Sequence, residues 1–264
     1  MQPRLRHGTI NFDDQLIIFG GASSNLPNSG TYNDVWNFDF IKKYHRMTTL
    51  GIGPSPRANF GFVRAGDRVF TVGGRSSNFD PFQHQNPFEI HMLNPKSGAW
   101  QKIITTGNEP QYSNGVRCVM LSTTELVVVA GLIPTFQNWM QEIQPEGNFE
   151  NFRTSMQVSV LKFSDGSMER GTWHRIADWF NNRRGFPTPR AEFHMTSLEK
   201  DHVLMCGGRS TNHILQDCWL MKITRHPNYS LKWTQITIEI HLFLHYLFIC
   251  SHLVSWAIFS SLLV

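Results

Sequence analysis

Short apolar runs that end at or near a glycine recur along the chain and predict buried β-strands. Four of them stand at residues 16–19, 69–72, 127–129 and 203–206. A continuous apolar run of this length, without the period of an amphipathic helix, is typical of a strand buried on both faces. No long amphipathic helix is evident before residue 238. The pattern therefore predicts an all-β fold.

The apolar runs belong to a plan that repeats four times: Pro-Arg, an apolar strand, a double glycine and tryptophan. The spacing from the arginine to the first glycine is 16 residues in repeats one and two and 17 in repeat four. The third repeat is degraded, with Tyr112-Ser113 and Ala130-Gly131 at the matching positions. Glycine suits the sharp turn after the strand, and tryptophan offers a large apolar surface. The signature residues are Gly20, Gly21, Trp36, Gly73, Gly74, Trp100, Gly131, Trp173, Gly207, Gly208, Trp219 and Trp233.

This plan resembles the kelch repeat, which implies a β-propeller built from four-stranded blades. We expect a domain over residues 1–239 with four visible blades in an incomplete ring, whose parent protein carries further blades. The expected blades span residues 3–51, 54–106, 110–178 and 187–238. Within the kelch proteins, the runs Tyr32–Asp39 and Leu215–Leu220 resemble the proteins that join an F-box to kelch repeats.

The last 25 residues, 240–264, contain no Asp, Glu, Lys or Arg. Their length is sufficient for a membrane-spanning helix. One hypothesis is a tail anchor, with the propeller on the cytosolic side. The alternative, which we favour, is translated non-coding sequence after the last strand of the fourth blade.

Charge and cysteine content narrow the function classes. The formal net charge is +4, with the basic residues scattered and no nucleic-acid-binding module, so we expect no nucleic-acid partner. The four cysteines form no C-x-x-C pair and no metal-ligand spacing, and no catalytic motif is present. We expect no catalytic residues, no metal and no cofactor. The absence of a signal-peptide pattern favours a cytoplasmic or nuclear location, with membrane anchoring as the alternative.

Four arginines are candidate partner-binding residues. Arg75 and Arg209 each follow a double glycine, in the near-copies Gly-Gly-Arg-Ser-Ser-Asn and Gly-Gly-Arg-Ser-Thr-Asn. A guanidinium group there could dock a carboxylate in a bidentate manner, and the resemblance implies binding of an acidic peptide or a free C-terminus. The alternative is that these arginines cap carbonyls of their own loops. Arg57 and Arg190, from the Pro-Arg positions, either line the central channel or brace the blade.

The resemblance implies a protein-binding module, which we interpret as the substrate-recognition part of an F-box ubiquitin ligase. The Skp1 adaptor and a cullin would then bind through an F-box that this chain does not contain. A second hypothesis is a kelch scaffold for actin or signalling proteins without a ubiquitin role. A third is a copper-dependent kelch oxidase, which needs Tyr, Cys and His ligands that are not convincingly grouped in this sequence.

Overall fold

The computed structural model describes residues 1–23, 30–39, 43–75, 88–111, 114–134, 152–179, 182–199 and 201–237. These residues form seventeen strands and no helix, which confirms the all-β prediction. None of the described residues forms a helix that could cross a membrane. The predicted tail at 240–264 and most of the third repeat's long insertion lie outside the described residues, as do Tyr112-Ser113.

The strands group into four sheets in chain order. The first sheet comprises β1 (Gly8–Phe12), β2 (Gln15–Phe19), β3 (Val35–Asp39) and β4 (Lys43–Arg46). The second comprises β5 (Gly61–Ala65), β6 (Arg68–Val72), β7 (Ile90–Asn94) and β8 (Ala99–Lys102). The third comprises β9 (Ile104–Gly107), β10 (Arg117–Ser122), β11 (Glu125–Pro134), β12 (Phe152–Phe163) and β13 (Arg170–Trp179). The fourth comprises β14 (His194–Ser197), β15 (His202–Cys206), β16 (Cys218–Thr224) and β17 (Ser230–Ile236).

Each sheet is an antiparallel meander of four strands, as the four-blade prediction requires. The third sheet has a fifth strand, β9, which pairs in parallel with β13 at the outer edge. Leu50 makes a similar parallel bridge to Ala99 at the outer edge of the second sheet. The segment that leaves one sheet therefore extends the outer edge of the next sheet.

Apolar side chains of neighbouring sheets form the core. The second strands of the first, second and fourth sheets are buried over at least their last three residues, as the continuous apolar runs predict. Tryptophans of the fourth strands lie in the clusters between sheets: Trp100 between the first and second, Trp173 between the second and third, and Trp233 between the third and fourth. Since no sheet can bury both faces alone, stacking of the sheets stabilises the fold.

The double glycines end the second strands of the first, second and fourth sheets. Both residues of each pair have positive φ, for example 63° and 97° at Gly20 and Gly21, a conformation that side chains with a Cβ rarely adopt. The third repeat differs, because β11 continues through Ala130 and Gly131 to Pro134 with a register shift. With alanine in place of one glycine, the backbone does not make the turn there.

Within the part of the chain that the structure describes, the four sheets follow one another and do not close into a ring. The first strands lie side by side in the order β1, β5, β10 and β14. The cluster that contains Leu204, Cys206 and Cys218 consists of residues of the fourth sheet alone. The fourth sheet thus packs one face on the third sheet and turns the other face away from it.

Candidate functional site

Two sets of loops meet at one end of the sheets, where each first strand begins and each second strand ends. Short backbone bridges join the two sets of loops, and we call this end of the sheets the rim. The bridged pairs are Leu5 with Ala22, Ala58 with Arg75, and Ala191 with Arg209. The bridges bring each Pro-Arg loop beside the loop that follows the second strand of its own sheet.

The arginine of the fourth Pro-Arg pair, Arg190, is buried below the rim, with 0% of its side chain exposed. Its Nη1 donates to the Gly207 carbonyl at 2.8 Å and to Asp217 Oδ1 at 2.6 Å, and its Nη2 donates to Asp217 Oδ2 at 2.8 Å. Asp217 also accepts a hydrogen bond from Trp219 Nε1 at 2.6 Å. The arginine therefore ties the end of the second strand to the start of the third.

The same arrangement recurs in the first sheet. Arg4 donates to the Gly20 carbonyl at 2.9 Å and holds Asp34 through two hydrogen bonds of 2.6 and 3.0 Å. Trp36 Nε1 donates to the same carboxylate at 2.5 Å. Two blades thus share an arginine–aspartate–tryptophan brace with matching contacts.

The second sheet has a modified brace. Arg57 donates to the Gly73 carbonyl and, through one nitrogen only, to Glu89 Oε2, both at 2.7 Å. Its Nη2 also contacts Ser55 Oγ at 2.9 Å. Glu89 accepts a further bond from Lys102 at 3.0 Å, so its carboxylate is shared between two cations.

The burial and the hydrogen bonds of the braces shift the pKa values of their charged groups. Burial alone would raise the pKa of Asp217, but the hydrogen bonds from Arg190 and Trp219 and the charge of Arg190 outweigh it and lower the pKa. Burial lowers the pKa of Arg57, and Glu89 partly opposes that effect. The braces therefore hold charged pairs with little water around the guanidinium groups.

Partner binding by Arg57 and Arg190 stays a prediction, and the geometry favours the bracing alternative for both. Sequence reasoning assigned no role to the acidic residues of the three braces, Asp34, Glu89 and Asp217. A signal was present, because each acid stands two residues before the aromatic residue of the third strand, which is Trp36, His91 or Trp219.

Arg75 and Arg209 lie in a different environment, on the rim itself. Both residues are exposed, and their backbone groups, rather than the double glycines before them, make the bridges to the Pro-Arg loops. Arg209 also bridges Ile214, whose side chain is 70% exposed. Leu5, on the first Pro-Arg loop, is 52% exposed. Residues 76–78, which follow Arg75 in the predicted motif, lie outside the described residues.

A second group of polar residues belongs to the same loops, two positions after each Pro-Arg arginine. Arg6, Asn59, Gly115 and Glu192 all have positive φ there. Asn59 N donates to Arg6 O at 3.0 Å and Gly115 N donates to Asn59 O at 3.1 Å, so neighbouring loops are tied together. Arg6 and Glu192, from the first and fourth sheets, form an ion pair at 3.5 Å. Sequence reasoning missed this position because its side chains differ in every repeat.

No arginine–carboxylate brace is present among the described residues of the third sheet. Gln157 lies buried in its third strand, accepting from the Gln111 backbone at 2.6 Å and donating to Asp178 at 3.0 Å. The arrangement is neutral at the position of the carboxylate. The third repeat thus has serine in place of the arginine and glutamine in place of the acid, and the carboxylate of Asp178 accepts a hydrogen bond from Gln157.

Cysteine geometry adds a feature that the sequence did not indicate. Cys206 and Cys218 face each other across β15 and β16 and form a disulfide. Cys118 is buried and free, and burial raises the pKa of its thiol to about 12. Among the residues that the structure describes, no three His, Cys, Asp or Glu side chains are grouped as a metal site would require.

Comparisons with known proteins agree with this fold. A family model described as the KLHDC2/KLHL20/DRC7 Kelch-repeats domain matches residues 1–131. Kelch domain-containing protein 10 of Homo sapiens and of Rattus norvegicus is 23% identical over 261 residues, which covers 83% of this chain. The dynein alpha chain of the flagellar outer arm of Chlamydomonas reinhardtii is 43% identical over 118 residues, 42% of this chain and 2% of that protein.

The chain spans 58% of the human and 63% of the rat protein. These comparisons do not show the finer resemblance to F-box and kelch proteins, of which F-box only protein 42 is the member that the sequence suggests. That resemblance stays a prediction.

Proposed function

We propose that this chain, which carries a kelch-repeat domain, is a protein-interaction module whose rim binds an acidic segment or a free C-terminal carboxylate of a partner protein. Kelch-repeat domains are in general modules of protein–protein interaction, and repeat folds offer their loops as a shared binding surface. The finer statement, which concerns the chemistry of the partner, rests on the rim residues.

The observation that carries the proposal is the contrast between the two sets of arginines. The side chains of Arg57 and Arg190 are buried inside the blades, at 5% and 0% exposed. Arg75 and Arg209 present exposed side chains on the rim. An exposed guanidinium group provides a planar set of donors that matches a carboxylate.

Apolar exposure on the rim supports the same proposal. Ile214 lies in the loop of Arg209, and Leu5 lies on the rim loop of the first sheet. Exposed side chains of this size beside a cation suit a peptide that combines an acidic group with an apolar side chain. The formal net charge of +4 favours the approach of an acidic partner.

Fluorescence anisotropy with a labelled peptide of alternating Glu and Leu and a free C-terminus tests the proposal. Arg75→Ala and Arg209→Ala should each weaken binding by about 5- to 30-fold, since a charge-assisted contact contributes roughly 1–2 kcal/mol. Arg170→Ala is the matched control, because Arg170 is exposed at the start of β13, at the opposite end of the sheets. Equal affinities for all variants would reject the rim arginines as the binding site.

Two further peptides separate the forms of the partner. Amidation of the C-terminus should reduce binding if the terminal carboxylate docks, and replacement of Glu by Gln should reduce it if side-chain carboxylates dock. Indifference to both changes would reject an acidic partner.

Within this function we propose the role of a substrate receptor in an F-box ubiquitin ligase. The similarity of Tyr32–Asp39 and Leu215–Leu220 to F-box and kelch proteins supports it. Co-precipitation of Skp1 and a cullin with the full-length parent protein is the test. Failure to co-precipitate them would leave the scaffold role, without ubiquitin chemistry, as the function of the same rim.

A further inference from the structure

One pair of side chains sets the fourth sheet apart from the other three. The residue just before the double-glycine position of each repeat faces the third strand of its sheet. The facing pairs are Phe19 with Val35, Val72 with Ile90, Val129 with Val158, and Cys206 with Cys218. Three pairs are apolar and buried, and the fourth is a disulfide.

The disulfide closes the base of the rim loop that carries Arg209. Beyond it, Gly207 N donates to the Asp217 carbonyl at 3.0 Å, and Leu215 N donates to the Gly208 carbonyl at 2.8 Å. Ser210 N donates to the His213 carbonyl at 2.9 Å at the tip. Hydrogen bonds therefore join the two sides of the loop, and the disulfide lies at its base.

The two cysteines are buried, but less completely than the residues at the equivalent positions. Cys206 is 8% and Cys218 is 5% exposed, whereas the corresponding pairs in the other sheets are at most 2% exposed. Cys206 and Cys218 belong to a cluster formed by residues of the fourth sheet region alone. The apolar pairs are covered by a neighbouring sheet.

We infer that Cys206 and Cys218 form a reversible redox pair that controls the rim loop of residues 207–217, and with it the binding of an acidic partner by Arg209. This inference rests on the proposed function. Oxidation fixes the two strands at the base of the loop and lowers the conformational freedom of the loop. Reduction leaves two thiols and releases that constraint.

The redox step balances with glutathione as the co-reactant. Two cysteine thiols react with one glutathione disulfide to give the protein disulfide and two molecules of reduced glutathione. The exchange proceeds through a mixed disulfide between one cysteine and glutathione. The thiolate of the second cysteine then attacks the sulfur of the first cysteine, and glutathione leaves as its thiolate. Reduced glutathione in excess drives the reverse reaction.

Hydrogen exchange of the full chain, measured in glutathione disulfide and in reduced glutathione, tests the control of the loop without any ligand. The amides of Ser210 and Leu215 should exchange at least about tenfold faster in the reduced protein. The amides of β11 should not change. Peptide anisotropy under the same two conditions should show binding at least about fivefold weaker after reduction.

The double variant Cys206→Val with Cys218→Ile is the matched control, since it copies the Val72 and Ile90 pair of the second sheet. Its exchange and its affinity should be the same in both conditions. Mass spectrometry after alkylation verifies the redox state, with the buried Cys118 as an internal reference.

The outcomes separate this inference from the proposed function. Loop amides that exchange equally in both redox states overturn the inference, whatever the affinity. Faster exchange with unchanged affinity also overturns it, while the role of the rim stands if Arg209→Ala still weakens binding. Failure of the peptide to bind in either state overturns the proposed function and the control of binding together.

Discussion

Arg190 and Arg209 stand 19 residues apart in the same repeat, yet the structure gives their side chains opposite surroundings. Arg190 is fully buried and holds Asp217 with two nitrogens, whereas Arg209 lies exposed on the rim. The comparison teaches that the position of an arginine relative to the second strand decides its role. The arginine of the Pro-Arg pair lies buried below the rim loop, in contact with an acidic side chain. The arginine after the double glycine lies on the exposed side of that loop.

The comparison extends to the blades themselves. The first and fourth sheets have an aspartate held by two nitrogens and a tryptophan, whereas the second sheet has Glu89 and His91 in their places. A longer acid that is shared with Lys102 keeps the charge balance but loses the second contact. The brace of the second sheet thus differs in residue type from the other two but still places a carboxylate beside the buried guanidinium group.

The largest expected effect comes from Arg190→Ala. We expect the free energy of unfolding to fall by about 3 kcal/mol, because Asp217 loses its cation and the Gly207 carbonyl loses its donor. Urea denaturation followed by tryptophan fluorescence measures the change. Arg209→Ala is the control and should change stability by less than about 0.5 kcal/mol. Equal losses in the two variants would remove the distinction between the brace and the rim.

A smaller effect is expected from pH at His91 in the second sheet. Burial lowers the pKa of His91 from 6.5 to about 4. Between these values the unfolded chain binds a proton that the folded chain does not bind, so stability falls as pH falls from 6.5 toward 4. We expect a loss of about 1–3 kcal/mol over this range, measured by urea denaturation at several pH values.

His91→Phe should flatten that part of the stability profile, and Trp219→Phe should leave its slope unchanged. If the stability profile keeps the same slope in His91→Phe, the loss of stability at low pH does not come from His91.

The smallest effect is expected from Trp219→Phe, which removes the hydrogen bond from Nε1 to Asp217. The loss should be about 1 kcal/mol, the usual net contribution of such a bond. Trp36→Phe should cost a similar amount in the first sheet, where the donor contacts Asp34. In a background of Asp217→Ala the effect of Trp219→Phe should shrink, and an undiminished effect would mean that the tryptophan acts through packing alone.

Much of the fold could be predicted from the repeats. The apolar runs and double glycines specify buried second strands and the turns that follow them, and both were found in three of the four sheets. The third repeat was the exception, because β11 continues past Ala130 and pairs with β12 as far as Pro134. The added edge strand β9 was not predicted, since its partner β13 is more than sixty residues away in the chain.

Less of the candidate site could be predicted. Sequence spacing grouped Arg57 and Arg190 with Arg75 and Arg209, and the side chains of the first two proved to be buried against Glu89 and Asp217. The reason is that the acids stand 32 and 27 residues further along the same repeats. The spacing of the arginines from the glycines carries no information on contacts over that distance.

The sequence by itself determined the buried second strands and the glycine turns of the first, second and fourth sheets, because these depend on local backbone freedom and on apolar runs. Only the tertiary structure decided which arginines are neutralised inside a blade and which remain on the rim. It also decided that Cys206 and Cys218 meet across two strands. Arg190 and Asp217 are 27 residues apart in the chain and the two cysteines 12, and the folding of the strands into one sheet brings each pair together.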